Sequence, residues 1–225
     1  MNNRRKFLAQ TSMAVTAFLV AKPFNTLAGF SSPFSGISNS NNLLLLHTGN
    51  TGLERAAKQV TALKQRHSNV VLLHAGNKIP ESQTKLKYDV IPATSSLDIS
   101  HTILFRGNLK IGVISASNTL TGSVEEINTL SSWLKKEKRC NLVVCLSQLG
   151  YKNKNGLDDI TLAAKSSHID AILSGHKDNF TKHAMIALNK NNAEVIISHS
   201  ANNTLEYGKI EIGFNRKGLK NKIAI

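Results

Sequence analysis

Sulfur, aromatic rings and acid are all in short supply in this sequence. Its 225 residues include only two cysteines. Cys140 and Cys145 stand five apart around one predicted strand, hence on opposite faces and roughly 16 Å apart in extended chain, too far for a disulfide. Two thiols are also too few for a metal cluster, so they read as small buried side chains. One Trp, three Tyr and eight Phe form no aromatic series interleaved with basic residues, as a nucleic-acid surface would need. Acidic residues number 14 against 28 Lys and Arg, a net charge of +14. The basic residues are spread over helix faces and turns, as in Lys135-Lys136-Glu137-Lys138-Arg139. They read as solvated surface, and no nucleic-acid partner is expected.

What is present begins with an address. Twin arginines in Asn3-Arg4-Arg5-Lys6-Phe7-Leu8 precede a moderately apolar run over 7–21, which ends near Thr26-Leu27-Ala28. This pattern is that of a twin-arginine export signal over 1–28, cleaved after Ala28. Gln10, Thr11, Ser12 and Thr16 interrupt the run, which is too short to span a bilayer comfortably. No later segment reaches transmembrane length, so the expected location is periplasmic or extracellular, with no membrane span after cleavage. Arg4, Arg5, Lys6 and Lys22 leave with the signal and no acid does, so the mature charge is about +10.

A lead-in over 29–42, rich in Ser, Gly and Asn, is followed by one domain over 43–225 with no internal repeat. Continuous apolar runs at 43–46, 70–73, 142–146 and 169–173 have the signature of strands buried on both faces. Helical spacing recurs over 53–67, 124–138 and 157–165. A short strand is predicted at 88–91, and hairpins are predicted around Arg106-Gly107-Asn108 and around 189–192. Alternation over 207–214 and a Lys217-Gly218 turn give two final strands. The early part is mainly βαβ and the end mainly hairpins. The expected fold class is α/β, two packed mixed sheets flanked by helices. Each buried strand ends in a polar cluster, and in α/β proteins those carboxyl ends are where ligands sit.

Read in order, these clusters resemble the metallophosphatase domain of the 5'-nucleotidase family, within the calcineurin-like phosphoesterases. The stretch Leu43-Leu-Leu-Leu-His-Thr-Gly-Asn-Thr-Gly52 is similar to the family's opening LLHTNDxHG, and Val71-Leu-Leu-His-Ala-Gly-Asn77 to its LLLDAGD. Tyr88-Asp-Val-Ile-Pro-Ala-Thr-Ser-Ser-Leu-Asp98 follows YDAVxxGNHEFD. Leu146-Ser-Gln-Leu-Gly-Tyr151 resembles LSHLGY, and Ile169-Asp-Ala-Ile-Leu-Ser-Gly-His-Lys-Asp178 resembles IDVIIGGHSH. The resemblance implies an αββα sandwich and, in the family, phosphomonoester hydrolysis at two divalent metals.

The same resemblance implies that the ligand set is largely gone. The metal-holding Asp and His of the first motif correspond to Asn50 and Gly52, and the bridging Asp to Asn77. The Asn and His of the third correspond to Thr94 and Ser95, while its supporting Asp is kept as Asp98. A further His ligand corresponds to Gln148. Only His176 survives, with Asp178 in the last ligand position. Two dications 4 Å apart repel by roughly 17 kcal/mol at an effective dielectric of 20, which carboxylates must offset and Asn50 and Asn77 do not. Ser95 cannot replace an imidazole as acid or base. The family's C-terminal nucleotide-binding domain has no counterpart in these residues.

The expectation is therefore a non-catalytic protein without a cofactor, binding an unknown phosphorylated ligand or a protein partner. The alternative is an active hydrolase whose divalent metal ion sits in a remodelled mononuclear site drawn from His47, His74, His176, His199 and Asp178. Lys78 and Lys177, beside the Asn77 and His176 turns, are candidates for an anion pocket or for plain solvent exposure.

Overall fold

The computed structural model describes residues 42–50, 54–79, 81–92, 99–116, 124–153, 156–176, 183–200 and 207–225. The export-signal and lead-in readings over 1–41 lie outside these residues. So do Gly52, Thr94, Ser95, Asp98, Lys177 and Asp178. Residues Asn39–Ile225 cluster as one compact unit.

Among the described residues ten strands and three α-helices follow one another: β1 (Asn42–Thr48), α1 (Glu54–Arg66), β2 (Val70–His74), β3 (Ser100–Arg106), β4 (Leu109–Ala116), α2 (Val124–Lys136), β5 (Leu142–Ser147), α3 (Asp159–Lys165), β6 (Ala171–Ser174), β7 (Met185–Leu188), β8 (Glu194–His199), β9 (Gly208–Phe214) and β10 (Lys220–Ala224). They form a four-stranded sheet in the order β10-β9-β1-β2 and a six-stranded sheet in the order β3-β4-β5-β6-β8-β7. Strand β1 is parallel to β2 and antiparallel to β9. In the larger sheet β4, β5, β6 and β8 are mutually parallel, with β3 and β7 antiparallel at the two edges.

The pleat sorts the apolar runs into layers. Leu43, Leu45, Val71, Leu73, Ile210 and Ile212 of the small sheet meet Ile111, Val113, Val144, Leu146, Leu173 and Ile196 of the large one in the central core. The alternate residues Leu44, Leu46, Val70 and Leu72 face outward against Val60 and Leu63 of α1. On the far side Cys145, Ile172, Val195 and Ile197 pack on Leu162 and Ala163 of α3, and Ile114 and Val143 pack on Leu134 of α2. That is why the runs at 43–46 and 142–146 have no polar interruption: each strand has one apolar layer on either side. The fold is a two-sheet α/β sandwich flanked by helices.

One predicted strand is corrected. Residues 88–91 form only an isolated parallel bridge between Val90 and Leu73. The Asp89 carboxylate takes the Leu72 N–H at 2.8 Å and pairs with Arg106, so a side chain stands where a longer ladder would need backbone. The helix predicted over 124–138 ends at Lys136, and the strand predicted to begin at Ile169 begins at Ala171. Cys140 and Cys145 are both free and buried.

Candidate functional site

The carboxyl ends of the parallel strands in both sheets meet at one end of the sandwich. The sheets are joined there by His47 at the end of β1, whose Nε2 lies 2.8 Å from Ser198 Oγ on β8. Three glycines bring the following loops into backbone contact. A Cβ on Gly49 would lie 2.8 Å from Ser200 Oγ and 3.0 Å from Gly175 Cα. One on Gly175 would lie 2.5 Å from the Ala75 carbonyl carbon, and one on Gly76 would lie 2.4 Å from Asn50 Oδ1. Only residues without a side chain permit this approach.

Within that contact Asn50 is committed to the backbone. Its Oδ1 accepts the N–H groups of Asn77 at 2.8 Å and Lys78 at 3.1 Å. The amide of Asn50 thus ties the loop after β1 to the loop after β2. Asn77 and Lys78 are themselves exposed. Gln148 is half-buried after β5, where its N–H reaches the Ala116 carbonyl at 3.2 Å. His176 is half-buried after β6.

His47 and His74 are each engaged by neighbouring groups. His74 donates from Nε2 to the Lys78 carbonyl at 2.9 Å, and its Nδ1 lies 3.0 Å from Thr48 Oγ1. Burial lowers its pKa against the opposing effect of the Lys78 carbonyl. His47 is fully enclosed, and burial, with the nearby His199 adding to it, pushes its pKa down to about 3. Its Nδ1 has no hydrogen-bond partner among the described residues. His199 turns to the helix side of the large sheet. Among the described residues no three His, Cys, Asp or Glu side chains are grouped to hold a metal ion.

The sequence reading missed one buried polar cluster. Register aligns Ser147, Ser174 and His199 across the ends of β5, β6 and β8. Asp159, in the first turn of α3, lies over this row. It accepts from Ser147 Oγ through Oδ1 and stands 3.1 Å from His199 Nε2 through Oδ2, and the Asp159 and His199 side chains are both fully buried. Ser147 Oγ in turn accepts the Leu149 N–H at 3.1 Å, and Tyr151 packs edge-on against His199 with ring centroids 5.9 Å apart. The signal was a carboxylate at the helical spacing of the apolar face, since Asp159, Leu162 and Ala163 are buried together. Its neighbour Asp158 caps the helix instead. Although burial raises its pKa, the Asn153 and Thr161 N–H groups and Lys152 bring the net value down. Ser147 hydrogen-bonds the carboxylate rather than the imidazole, so this is not the order a serine nucleophile needs.

Among the described residues the donors Asn50 and Asn77 do not fit a dinuclear metal centre. A bridging position needs carboxylate charge, whereas Asn50 and Asn77 are neutral, and the Asn50 oxygen already accepts two N–H groups.

No protein-family profile matches the chain, and no curated protein sequence matches it significantly. Solved structures do match. The 5'-nucleotidase precursor from Thermus thermophilus superposes with a TM-score of 0.61 at 17% identity, over 81% of this chain and 53% of that one. NAD nucleotidase from Haemophilus influenzae gives 0.57 at 16% identity, over 82% and 49%. The calcineurin-like phosphoesterase YfkN from Bacillus subtilis gives 0.51 at 16% identity, over 81% and 90%. The fold is thus that of a metallophosphatase-like domain, and the chain spans about half the length of the two nucleotidases.

Proposed function

We propose that this chain is an exported, catalytically degenerate relative of these phosphoesterase domains, which acts by binding a phosphorylated ligand or a protein partner. The observation that carries the reading is the Asn50 amide. Its oxygen serves as a backbone clasp between two loops, in the position where the family resemblance calls for a charged ligand. Lys78, exposed at the same rim, offers a cation to a phosphate group, and Lys177 is its proposed companion.

Elemental analysis of the purified mature chain tests this directly. The expected result is less than one transition-metal equivalent per chain, with a melting temperature unchanged by a chelator, since no metal ties the loops together. Two equivalents per chain would overturn the proposal. One equivalent, lost together with hydrolysis of an aryl phosphate on chelation, would instead establish the remodelled mononuclear hydrolase.

A further inference from the structure

The opposite end of the sandwich, where the parallel strands begin, carries a second feature. Some of the basic residues that look scattered along the sequence are gathered here, because the three described α-helices end at this face and bring their basic last turns with them, Lys64 and Arg66, Lys135 and Lys136, and Lys165. Lys135 and Lys220 share the Asp170 carboxylate at 2.8 and 3.6 Å. Lys110 donates its N–H to Asn141 Oδ1, and Asn141 Nδ2 reaches the Gly218 carbonyl at 3.0 Å, which places the turn bearing Lys217 beside them. Lys136 and Lys190 are exposed on either side of His168. The pKa of that imidazole is lowered by its burial and then by Lys136, Lys135 and Lys190, against the pull of Asp170. Asp170, Glu137 and Glu194 are carboxylates beside these cations; Asp170 is already engaged by two of them, and Asp89, beside β2, is paired with Arg106.

Among the described residues, three of the six most exposed large apolar side chains stand at the same end. Phe105 is 63% exposed where β3 ends, Leu188 57% where β7 ends, and Leu219 61% just before β10 begins. Strands β3 and β7 are the two edges of the six-stranded sheet, so Phe105 and Leu188 lie about 24 Å apart across the face. Leu219 marks a third corner on the other sheet. Cations in the middle with apolar side chains at the corners suit a bilayer interface, where the charges meet headgroups and the corners enter the acyl boundary. A nucleic-acid surface would instead present stacking aromatics among the cations. Here, among the described residues, a single exposed aromatic, Phe105, stands at one corner with Lys110 Nζ 5.7 Å over its ring, and Trp133 is already covered by Lys138 at 4.5 Å and by His101.

We infer that this amino-end face, centred on Lys135, Lys136, Lys190 and Lys220 and cornered by Phe105, Leu188 and Leu219, docks the protein on an anionic phospholipid surface. The inference is independent of whether the other end of the sandwich is catalytic.

Sedimentation of the mature chain with vesicles tests it. Phosphatidylcholine vesicles doped with phosphatidylglycerol should bind the protein at low salt and release it as sodium chloride rises, while pure phosphatidylcholine should bind it weakly. The double substitution Lys136→Ala with Lys190→Ala should weaken binding about thirty-fold, from roughly five-fold per charge, and Lys136→Arg with Lys190→Arg should keep it. Leu219→Ser should weaken the binding that remains at high salt several-fold. Thermal unfolding of each variant checks that the fold is intact. Equal binding to neutral and anionic vesicles, or undiminished binding by the double alanine variant, would overturn the inference. So would retention on single-stranded DNA without any binding to vesicles, which would make this a nucleic-acid face.

Discussion

His47 of the four-stranded sheet and Ser198 of the six-stranded sheet are hydrogen-bonded at 2.8 Å across the top of the core. The imidazole is 0% exposed, and burial holds its pKa near 3 against an ordinary value of 6.5. The unfolded chain therefore binds a proton in that window that the native protein does not. Stability is full above pH 6.5 and falls steadily towards pH 3, by on the order of 5 kcal/mol from this residue. Between pH 7 and pH 5 the melting temperature should drop by about 4–8 °C. His47→Gln, which cannot titrate, should flatten that slope even if it is less stable at pH 7. An unaltered slope would place the pH dependence elsewhere.

Glycine at the loop contact is a steric requirement. A Cβ at position 175 would meet the backbone of Ala75 and Gly76 at 2.5–2.6 Å, and backbone yields less readily than a side-chain tip. Gly175→Ala should lower the free energy of unfolding by about 1–3 kcal/mol in urea titrations. At Gly156 the new methyl would meet only Asn153, at 3.3 Å, so Gly156→Ala should change stability by less than about 0.5 kcal/mol. Equal effects at the two positions would contradict the close approach.

The buried carboxylate of Asp159 supports two polar groups at once. Asp159→Ala leaves Ser147 Oγ and His199 Nε2 without this partner in an enclosed site and should cost about 2–4 kcal/mol. Asp159→Asn keeps an oxygen for Ser147, and its amide can pair with the other imidazole tautomer, so it should cost about half as much. Chemical denaturation of the two variants side by side gives the ratio.

Much of this sandwich could be read from the chain because the two apolar layers are written into continuous runs. Leu43 to Leu46 serves both layers, and Tyr207 to Phe214 alternates because Ile210, Ile212 and Phe214 face the central core while Lys209 and Glu211 take the other face, where their charges pair at 2.7 Å. What the runs could not give was partnership. Strand β9 lies beside β1 although more than 150 residues separate them, and local pattern carries no trace of that pairing. The same limit hid the basic face, since Lys135 and Lys220 become neighbours only when the sheets close on Asp170. At the candidate site the sequence supplied residue identities such as Asn50 and His176. It could not show that the Asn50 oxygen would be taken by the Asn77 and Lys78 N–H groups.

Export gives a prediction separate from the fold. The receptor of the twin-arginine pathway reads a guanidinium pair, and an ammonium group does not reproduce that planar fork. Arg4→Lys with Arg5→Lys should leave the precursor in the cytoplasm, as shown by fractionation and by retention of precursor mass. Undiminished export of the double variant would remove the twin-arginine reading. Among the described residues no helix is long and apolar enough to cross a membrane.

If lost ligands are the whole reason for the proposed inactivity, only their joint restoration should bring metal binding back. Asn50→Asp alone should keep the clasp, because a carboxylate oxygen accepts the Asn77 and Lys78 N–H groups as readily as an amide oxygen does. It should not bind metal, because one added charge cannot offset the repulsion between two dications. Adding Asn77→Asp supplies a second charge from an exposed loop, still with too few ligands. Only the set Asn50→Asp, Gly52→His, Asn77→Asp, Thr94→Asn, Ser95→His and Gln148→His, with His176 and Asp178 already in place, provides the charges and donors together. Calorimetric titration with manganese should therefore show no binding for the first two variants and measurable binding for the sixfold set. Any turnover of an aryl phosphate by the sixfold set should be slow, because the residues that would orient the new ligands have not been restored with them. Robust metal-dependent turnover by the unaltered chain, abolished by His176→Ala, would show that the exchanged residues replaced one chemistry with another instead of ending it.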